Sequence, residues 1–487
     1  MIDFIQKQDS DFHKKFISNL QRRNKRIDTK NIQLYKQLIN SNTPELKNKM
    51  SSNAYNVLKK RLLDALLDFM VIEVMENESN SDISNYKRFF LGRSLINDGF
   101  FRDGLKVLRK LKKSLKIHEL NLQIEVLSLM IEVSSEMEDF DLDMALVEYR
   151  ELQKKYEYQQ QLNVIFALIK NELKRTKIEE SKISFGELIK ESFDRFKMEI
   201  DNVIDIQTLS RLAQLADLFG EKNRAYHEIE SFFDHHIERL TPNGHESISQ
   251  IINSAQLYYS LANIELRKKD FKRSLKYLEN LLELIDLYPE KLTETFYFKH
   301  SLLLSLNLNY VGKPEEAENL LNLIDIEESN RMYPSIQLTR MMLYIQRGAF
   351  KEALRINHGL SHRDSWYEKR VGVEWLLNKK FLEVILYIEL NYEDLIESKI
   401  RSLLNLHSKT LSMEQNKQVK PFIKVVKRML NYPEEITNGK LEQRLYQIGL
   451  TNIKETDLFF LSFYSWLRSK LNNKNINDNL LELLAMH

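Results

Sequence analysis

Small residues at fixed distances are the feature that most constrains this chain, and they are clearest in residues 258–284. This stretch, YYSLANIELRKKDFKRSLKYLENLLEL, places Ala262 in one apolar stripe and Ser274 in a second one. Asp270 and Phe271 lie between the two stripes. Two antiparallel helices approach closely only where one presents a small side chain to the bulk of the other. The spacing therefore predicts a helical hairpin that turns at Asp270 and Phe271.

This spacing is that of a tetratricopeptide (TPR) repeat, and it recurs along the chain with varying fidelity. Pro314 and Glu315 suit the first turn of a helix. The backbone N–H that proline lacks has no partner within the helix at that position, and the acid interacts favourably with the helix dipole. The further units are marked by Leu91, Gly92, Gly99 and Gly104; by Leu212, Ala213, Gly220 and Ala225; by Leu304, Ser305, Gly312 and Ala317; and by Gly348, Phe350 and Ala353. The sequence predicts an all-α fold, an α-solenoid of divergent TPR-like helical hairpins with helical N- and C-terminal caps.

The pattern divides the chain into three predicted regions. In residues 1–80 the apolar residues are spaced differently, and this region is expected to form a helical cap, with the polar segment 76–85 as its boundary. Residues 81–380 hold the repeat array. Residues 381–487 are expected to continue and close it, with a last short helix that docks back after the polar segment 472–479.

Turns within the array are predicted from its polar interruptions. Gly99 and Gly220 are 121 residues apart, which leaves room for three units of about 40 residues. Turns near Asp139 and Thr176 fit that count, and residues 379–381 resemble one more, eroded turn. The unequal periods indicate a divergent array.

Composition argues against several classes of protein. The 487 residues include only 12 Gly and 7 Pro, whereas α/β nucleotide-binding folds use glycine to turn strands into helices. Cysteine is absent, which excludes disulfides, thiol nucleophiles and thiolate metal sites. The first residues contain acids and no long apolar core, and acids interrupt the apolar run 62–75, where a membrane span needs about 20 mostly apolar residues. We expect a cytoplasmic protein with no membrane segment.

Charge is unevenly distributed along the chain. Residues 1–120 contain 24 Lys and Arg against 14 Asp and Glu, and the remainder contains 48 against 56. Such asymmetry is typical of a basic arm for nucleic acid, but also of two halves that attract each other or of solvated helix faces. The two basic clusters are Arg22, Arg23, Lys25, Arg26 and Lys30, and Lys106, Arg109, Lys110, Lys113 and Lys116. We interpret the second cluster as a solvated face opposite leucines.

Four runs of residues carry information beyond periodicity. They are NYEDLIESKIRS at 391–402, FYSWLRSKL at 463–471, RLLDALLDF at 61–69 and GFFRDGLKVLRKLKKSLKI at 99–117. Together they resemble a family of uncharacterised TPR-like proteins common in Bacteroidota. The resemblance touches both ends of the chain and implies a helical-repeat fold. It implies no activity and no catalytic residue.

Common catalytic motifs are missing from the sequence. It contains no GxxxxGK[ST], GxGxxG, HExxH or GxSxG run, so we expect no enzyme, cofactor or metal. The best metal candidates are His227, Glu230, Asp234 and His235, of which the first three share about one helical face. One helix cannot supply a full ligand shell, and a solvated face around buried Ile229, Phe232 and Phe233 explains them. The pair His358 and His362 is interrupted by a glycine near a helix end.

The first helices of TPR hairpins line a groove, so residues beside the small-residue seam are the predicted partner-binding set. They are Phe89, Arg93, Asn97, Tyr259, Asn263 and Arg267. Asn263 stands where peptide-binding TPR domains use an asparagine to hold a terminal carboxylate. However, Tyr259 and Leu303 replace the lysine and second asparagine that this grip needs. A terminal carboxylate is therefore disfavoured as the ligand.

The leading functional hypothesis is a non-enzymatic scaffold that binds a peptide or protein partner in the groove. The alternative is a nucleic-acid-associated regulator that uses the basic N-terminal third. The third hypothesis is an enzyme with an unrecognised site, which would require a deep pocket lined by perturbed acids or histidines.

Overall fold

The computed structural model of this protein is helical, with no strand among its described residues. The described residues are 5, 8–23, 29–40, 45–47, 49–76, 81–116, 119–136, 140–175, 184–200, 205–223, 226, 229, 232–234, 248–406, 411, 418–437, 439–447 and 456–485. The prediction of an all-α chain is confirmed for this part of the sequence.

Two compact units make up the chain, residues 1–160 and 161–487. The first unit contains α1 Ser10–Arg23, α2 Lys30–Asn40, α3 Ser52–Glu76, α4 Ser81–Asn97, α5 Phe101–Ser114 and α6 Leu120–Glu132. The boundary falls inside α7, Leu142–Arg175.

The second unit holds the remaining helices. They are α8 Phe185–Asp194, α9 Ile206–Asn223, α10 Ile248–Lys268, α11 Phe271–Leu287, α12 Pro289–Tyr310, α13 Pro314–Asn322, α14 Tyr333–Gln346, α15 Phe350–Gly359, α16 Asp364–Val371, α17 Val373–Glu389, α18 Glu393–Leu406, α19 Val419–Asn431, α20 Glu434–Thr437, α21 Lys440–Gln447, α22 Leu458–Asn472 and α23 Ile476–Ala485.

Two glycines allow α4 and α5 to approach closely in the first unit. A Cβ atom at Gly104 would lie 2.7 Å from Cγ1 of Ile96 and 2.9 Å from the carbonyl oxygen of Gly92. Gly99 makes the turn between the helices with φ +83°, a conformation that side chains with a Cβ disfavour. The predicted small-residue contact and turn are confirmed for this hairpin.

The α10–α11 hairpin forms as the sequence predicts. Ala262 is fully buried, and its carbonyl oxygen accepts a hydrogen bond of 2.7 Å from Oγ of Ser274 on the facing helix. Asp270 caps α11, because its Oδ1 accepts from the backbone N–H of Arg273 at 3.0 Å. The next hairpin, α12–α13, repeats the contact with Ser305, whose Oγ donates to a helix carbonyl at 3.0 Å. Ala225, the equivalent position in an earlier unit, lies outside the described residues.

Replacing Ala262 with leucine should lower the free energy of unfolding by about 1–3 kcal/mol, because the α10–α11 contact has no room for the three additional heavy atoms. Urea denaturation followed by circular dichroism measures the change. Ala54→Leu is the matched control, since Ala54 is exposed in the first turn of α3. An unchanged midpoint for Ala262→Leu would contradict the observed close packing.

Regular repetition fails between the two well-formed hairpin regions. Residues 142–175 form one continuous helix, so the prediction of three 40-residue hairpins is wrong there. Gly220 lies within α9 and makes no turn; a Cβ there would overlap the ring of Tyr226. The glycine therefore serves close packing. Asp139 and Thr176, near which turns are predicted, lie outside the described residues.

The predicted turn at residues 379–381 is also wrong, since all three residues are buried in the middle of α17. Nζ of Lys380 lies 2.9 Å from Oδ2 of Asp364, and Lys379 pairs with Glu383 one helical turn away. Adjacent polar residues after an apolar run predict a turn only if their side chains are assumed to be exposed to solvent. Here the buried carboxylate of Glu383 and the half-buried one of Asp364 pair with the two lysines.

The last helix, α23, begins inside the polar segment 472–479 and packs against α12 and α22. Leu480, Leu483 and Leu484 are buried. The predicted docking of a short terminal helix is confirmed, with an earlier start than the sequence indicates.

Candidate partner-binding surface

Helix α22, which precedes the last helix, packs against the first helices of the hairpins, where the sequence predicts a partner-binding groove. Residues 461–467 are all buried, so α22 is surrounded over two turns. Its apolar side chains share one core with those of α14 and α17. A segment of the chain itself therefore covers part of the predicted groove.

Polar contacts fix the position of α22. Oε1 of Gln346 accepts from Nδ2 of Asn309 at 2.9 Å, and Nε2 of Gln346 donates to Oγ of Ser462 at 3.0 Å. All three residues are buried, so a lost partner would leave a buried polar group without a hydrogen bond. At the other end, the indole N–H of Trp466 donates to Oε1 of Glu389 at 2.6 Å. These directional contacts identify α22 as part of the folded core.

Arg267, a predicted partner-binding residue, is engaged by the same helix. Its Nη1 lies 3.1 Å from Oδ2 of Asp457, and Oδ1 of Asp457 accepts from the backbone N–H of Phe459 at 2.9 Å. Asp457 is thus both the cap of α22 and the partner of Arg267. Arg267 therefore takes part in the docking of α22, although its side chain stays 36% exposed.

Asn263 and Tyr259 lie one and two turns before Arg267 on α10. Asn263 donates from Nδ2 to Oδ1 of Asp217 on α9 at 2.7 Å, so it joins two neighbouring helices. Tyr259 is half-buried, and burial raises the pKa of its phenol, with the charge of Asp217 adding to the effect. The three predicted residues share one face of α10, but each has a different partner.

Lys299 on α12 lies beside Tyr259 and is half-buried. Its Nζ is 5.1 Å from the ring centroid of Tyr259 and 4.9 Å from that of Phe296, which is the geometry of cation–π contacts. No carboxylate among the described residues forms an ion pair with it. Burial lowers the pKa of Lys299, and the positive charge of Arg331 lowers it further. We call Tyr259, Phe296 and Lys299 the aromatic–lysine patch.

Sequence reasoning missed Phe296 and Lys299, although a signal was present. Residues 295–300 read TFYFKH, with three consecutive aromatic residues before the lysine. Consecutive residues on a helix point in different directions, so one apolar face cannot bury all three. Tyr297 is accordingly 41% exposed while Phe296 is buried.

The predicted set in the first unit contains one wrong residue. Phe89 is buried in the core of that unit together with Ile96, whereas Leu91 is exposed. The buried glycine of α4, Gly92, fixes this orientation, because residues three before and four after it share its face. Arg93 and Asn97 are exposed on α4.

The described part of the chain holds no group of three or more acids and histidines placed to bind a metal ion. Asp234 pairs with Arg273, and His227, Glu230 and His235 lie outside the described residues. His358 is exposed. The ring of His362 stacks on that of Trp366, and its Nε2 lies 3.0 Å from Glu328.

The basic face of α5 is exposed, as the sequence predicts, and its leucines are buried on the opposite side. The exposed residues are Lys106, Arg109, Lys110 and Lys113, with Lys116 just beyond the helix, and the buried ones are Leu105, Leu108 and Leu111. Of the first basic cluster, Lys25 and Arg26 lie outside the described residues. A solvated surface and a nucleic-acid surface both require this exposure, so the nucleic-acid alternative stays untested.

No helix among the described residues is long and apolar enough to cross a membrane. No family model matches the chain, and no curated protein is similar to it in sequence.

Proposed function

We propose that this chain is a non-enzymatic scaffold, a divergent TPR-like solenoid that binds an acidic segment of a protein partner at the aromatic–lysine patch. The observation that carries the proposal is Lys299, a half-buried cation on two aromatic rings that has no carboxylate partner among the described residues. Stacked hairpins expose an extended surface for such a partner.

The chemistry of the patch favours an anion. Burial and Arg331 both disfavour the charged form of Lys299, and a carboxylate placed beside its Nζ would reverse that cost. The two rings hold the ammonium group in place, which reduces the entropy lost on binding. An acidic side chain of a partner therefore fits the patch better than a neutral or basic one.

Changing Lys299 to methionine should weaken partner binding by about 10-fold to 100-fold, the range for one hydrogen bond to a charged group. Affinity capture from the native host identifies the partner, and a titration of that partner against the variant measures the loss. Methionine keeps the packing on Tyr259 and Phe296. Equal affinity of wild type and variant would exclude the patch as the binding surface.

Lys276→Met is the control, because Lys276 is exposed on α11 and contributes the same charge to the surface. Substituting Arg267 is unsuitable as a test, since it breaks the ion pair that positions α22. If both lysine variants weaken binding equally, general surface charge is responsible, and the proposed site is wrong.

A further inference from the structure

Helix α5 carries positive charge along one side. Its 14 residues include six Lys and Arg against a single acid, Asp103. Five of these cations are exposed and follow one another at intervals of four, three, one and three residues, which places them opposite the buried leucines. They are Arg102, Lys106, Arg109, Lys110 and Lys113, and we call them the α5 basic stripe.

Carboxylates in the described part of the chain do not neutralise the stripe. Lys112, the sixth cation of α5, pairs with Glu148 of α7 at 2.6 Å, but its side chain is half-buried and lies outside the stripe. None of the five stripe residues forms an ion pair with a carboxylate among the residues that the structure describes. Their charge is therefore left to solvent or to a partner.

The arrangement of these charges is unfavourable for the helix itself. Arg102, Lys106 and Lys110 follow one another at intervals of four residues, so their like charges repel along the helix. Arg109 and Lys113 repeat this spacing. Arg102 also lies in the first turn, where the helix dipole disfavours a cation, whereas the dipole favours only the last-turn cations such as Lys113. Solvation explains the exposure of the stripe, but a bound polyanion explains why its charges are all of one sign.

The length and surroundings of the stripe favour duplex DNA among polyanions. The stripe extends about 16 Å at 1.5 Å per residue, and each DNA strand carries one phosphate for about every 3.4 Å of duplex axis. The structure describes all of α5, and none of its large apolar or aromatic side chains is exposed. A membrane therefore finds no side chain of α5 to insert, and a single strand finds no ring of α5 for its bases to stack on.

We propose that the α5 basic stripe binds the phosphate backbone of duplex DNA without reading the base sequence. The five cations release counterions from the phosphates, and this release drives binding. Contacts of lysine and arginine with phosphates carry no sequence information. The stripe belongs to residues 1–160 and the aromatic–lysine patch to residues 161–487, so binding at one surface does not require binding at the other.

Fluorescence anisotropy of a labelled random duplex of about 20 base pairs, titrated with the full chain, tests the stripe. The logarithm of the wild-type affinity should fall with the logarithm of salt concentration at a slope of about −3.6 to −4.5, the value for four or five phosphate contacts. The double variant Lys106→Gln with Lys110→Gln should bind about 10-fold more weakly at about 0.05 M salt, and its slope should be shallower by about 1.8. Glutamine retains the helix propensity of lysine, and removing two like charges should leave the thermal midpoint unchanged or raised.

Lys272→Gln with Lys276→Gln is the matched control, because both lysines are exposed on α11 and have the same spacing of four residues. This control should keep the affinity and the slope of the wild type. Equal losses in the two double variants would make general charge responsible and overturn the proposal. So would a wild type that does not bind the duplex at about 0.05 M salt, tighter binding to a single strand of the same sequence, or binding to phosphatidylserine vesicles without binding to the duplex.

Discussion

Replacing Trp466 with alanine should lower the free energy of unfolding of the 161–487 unit by about 3–5 kcal/mol. The side chain is 1% exposed, so its removal leaves a large cavity among the packed side chains of α14, α17 and α22. It also removes the indole N–H that donates to the partly buried Glu389, which then keeps only its ion pair with Lys470 at 2.5 Å among these two contacts. Urea denaturation followed by far-UV circular dichroism, which does not depend on the fluorescence of the removed tryptophan, measures the loss.

Two further variants separate packing from hydrogen bonding. Trp466→Phe retains most of the apolar volume, so it should cost less than the alanine variant, and its cost includes the lost bond to Glu389. Leu323→Ala, at an exposed position, should change stability by no more than about 0.5 kcal/mol. A Trp466→Ala protein as stable as the wild type would show that α22 is not part of the core.

The hairpins could be predicted because their contacts leave a local signature. Where backbones approach, only Gly, Ala or Ser fits, and Ala262, Ser274 and Gly104 are all buried at such contacts. Helix boundaries have comparable signatures: Asp270 caps α11, and Pro314 begins α13. Each of these features depends on residues close in sequence.

The position of α22 could not be predicted, because it depends on residues distant in sequence. Gln346 and Ser462 are 116 residues apart, and nothing near either residue indicates the other. The prediction of a turn at the buried lysines of α17 was wrong for a related reason. Two adjacent lysines in a sequence indicate side chains exposed to solvent. In the structure, ion pairs with Asp364 and Glu383 make their burial possible.

Only part of the candidate site was predictable for the same reason. The periodicity of α10 correctly places Tyr259, Asn263 and Arg267 on one face. The pairing of Arg267 depends on α22, whose cap, Asp457, holds its guanidinium. Lys299 comes from the next hairpin, so its contact with Tyr259 depends on how the hairpins stack.

Changing Glu383 to glutamine should destabilise the protein by about 3–5 kcal/mol at neutral pH, the cost of breaking a buried ion pair. Glu383 is 4% exposed at its side chain and is the common partner of Lys379 and Lys399, the latter at 3.2 Å. Glutamine has the same shape but leaves buried ammonium groups without their carboxylate. Glu397→Gln is the control, because its pair with Arg401 is exposed and should contribute only about 0.3–0.5 kcal/mol.

The cost of Glu383→Gln should depend on pH in a defined direction. Burial alone raises the pKa of Glu383, but Lys379, Lys380 and Lys399 outweigh it and hold the pKa below its ordinary value of 4.5. A lowered pKa in the folded state stabilises the protein above the pKa of the unfolded state, and this stabilisation is lost as the pH falls through the folded pKa. The stability difference between wild type and variant should therefore be greatest near neutral pH and shrink below pH 4.5. Urea titrations at a series of pH values test this, and a difference that stays constant into acid would show that the Glu383 carboxylate is not held ionised by the lysines.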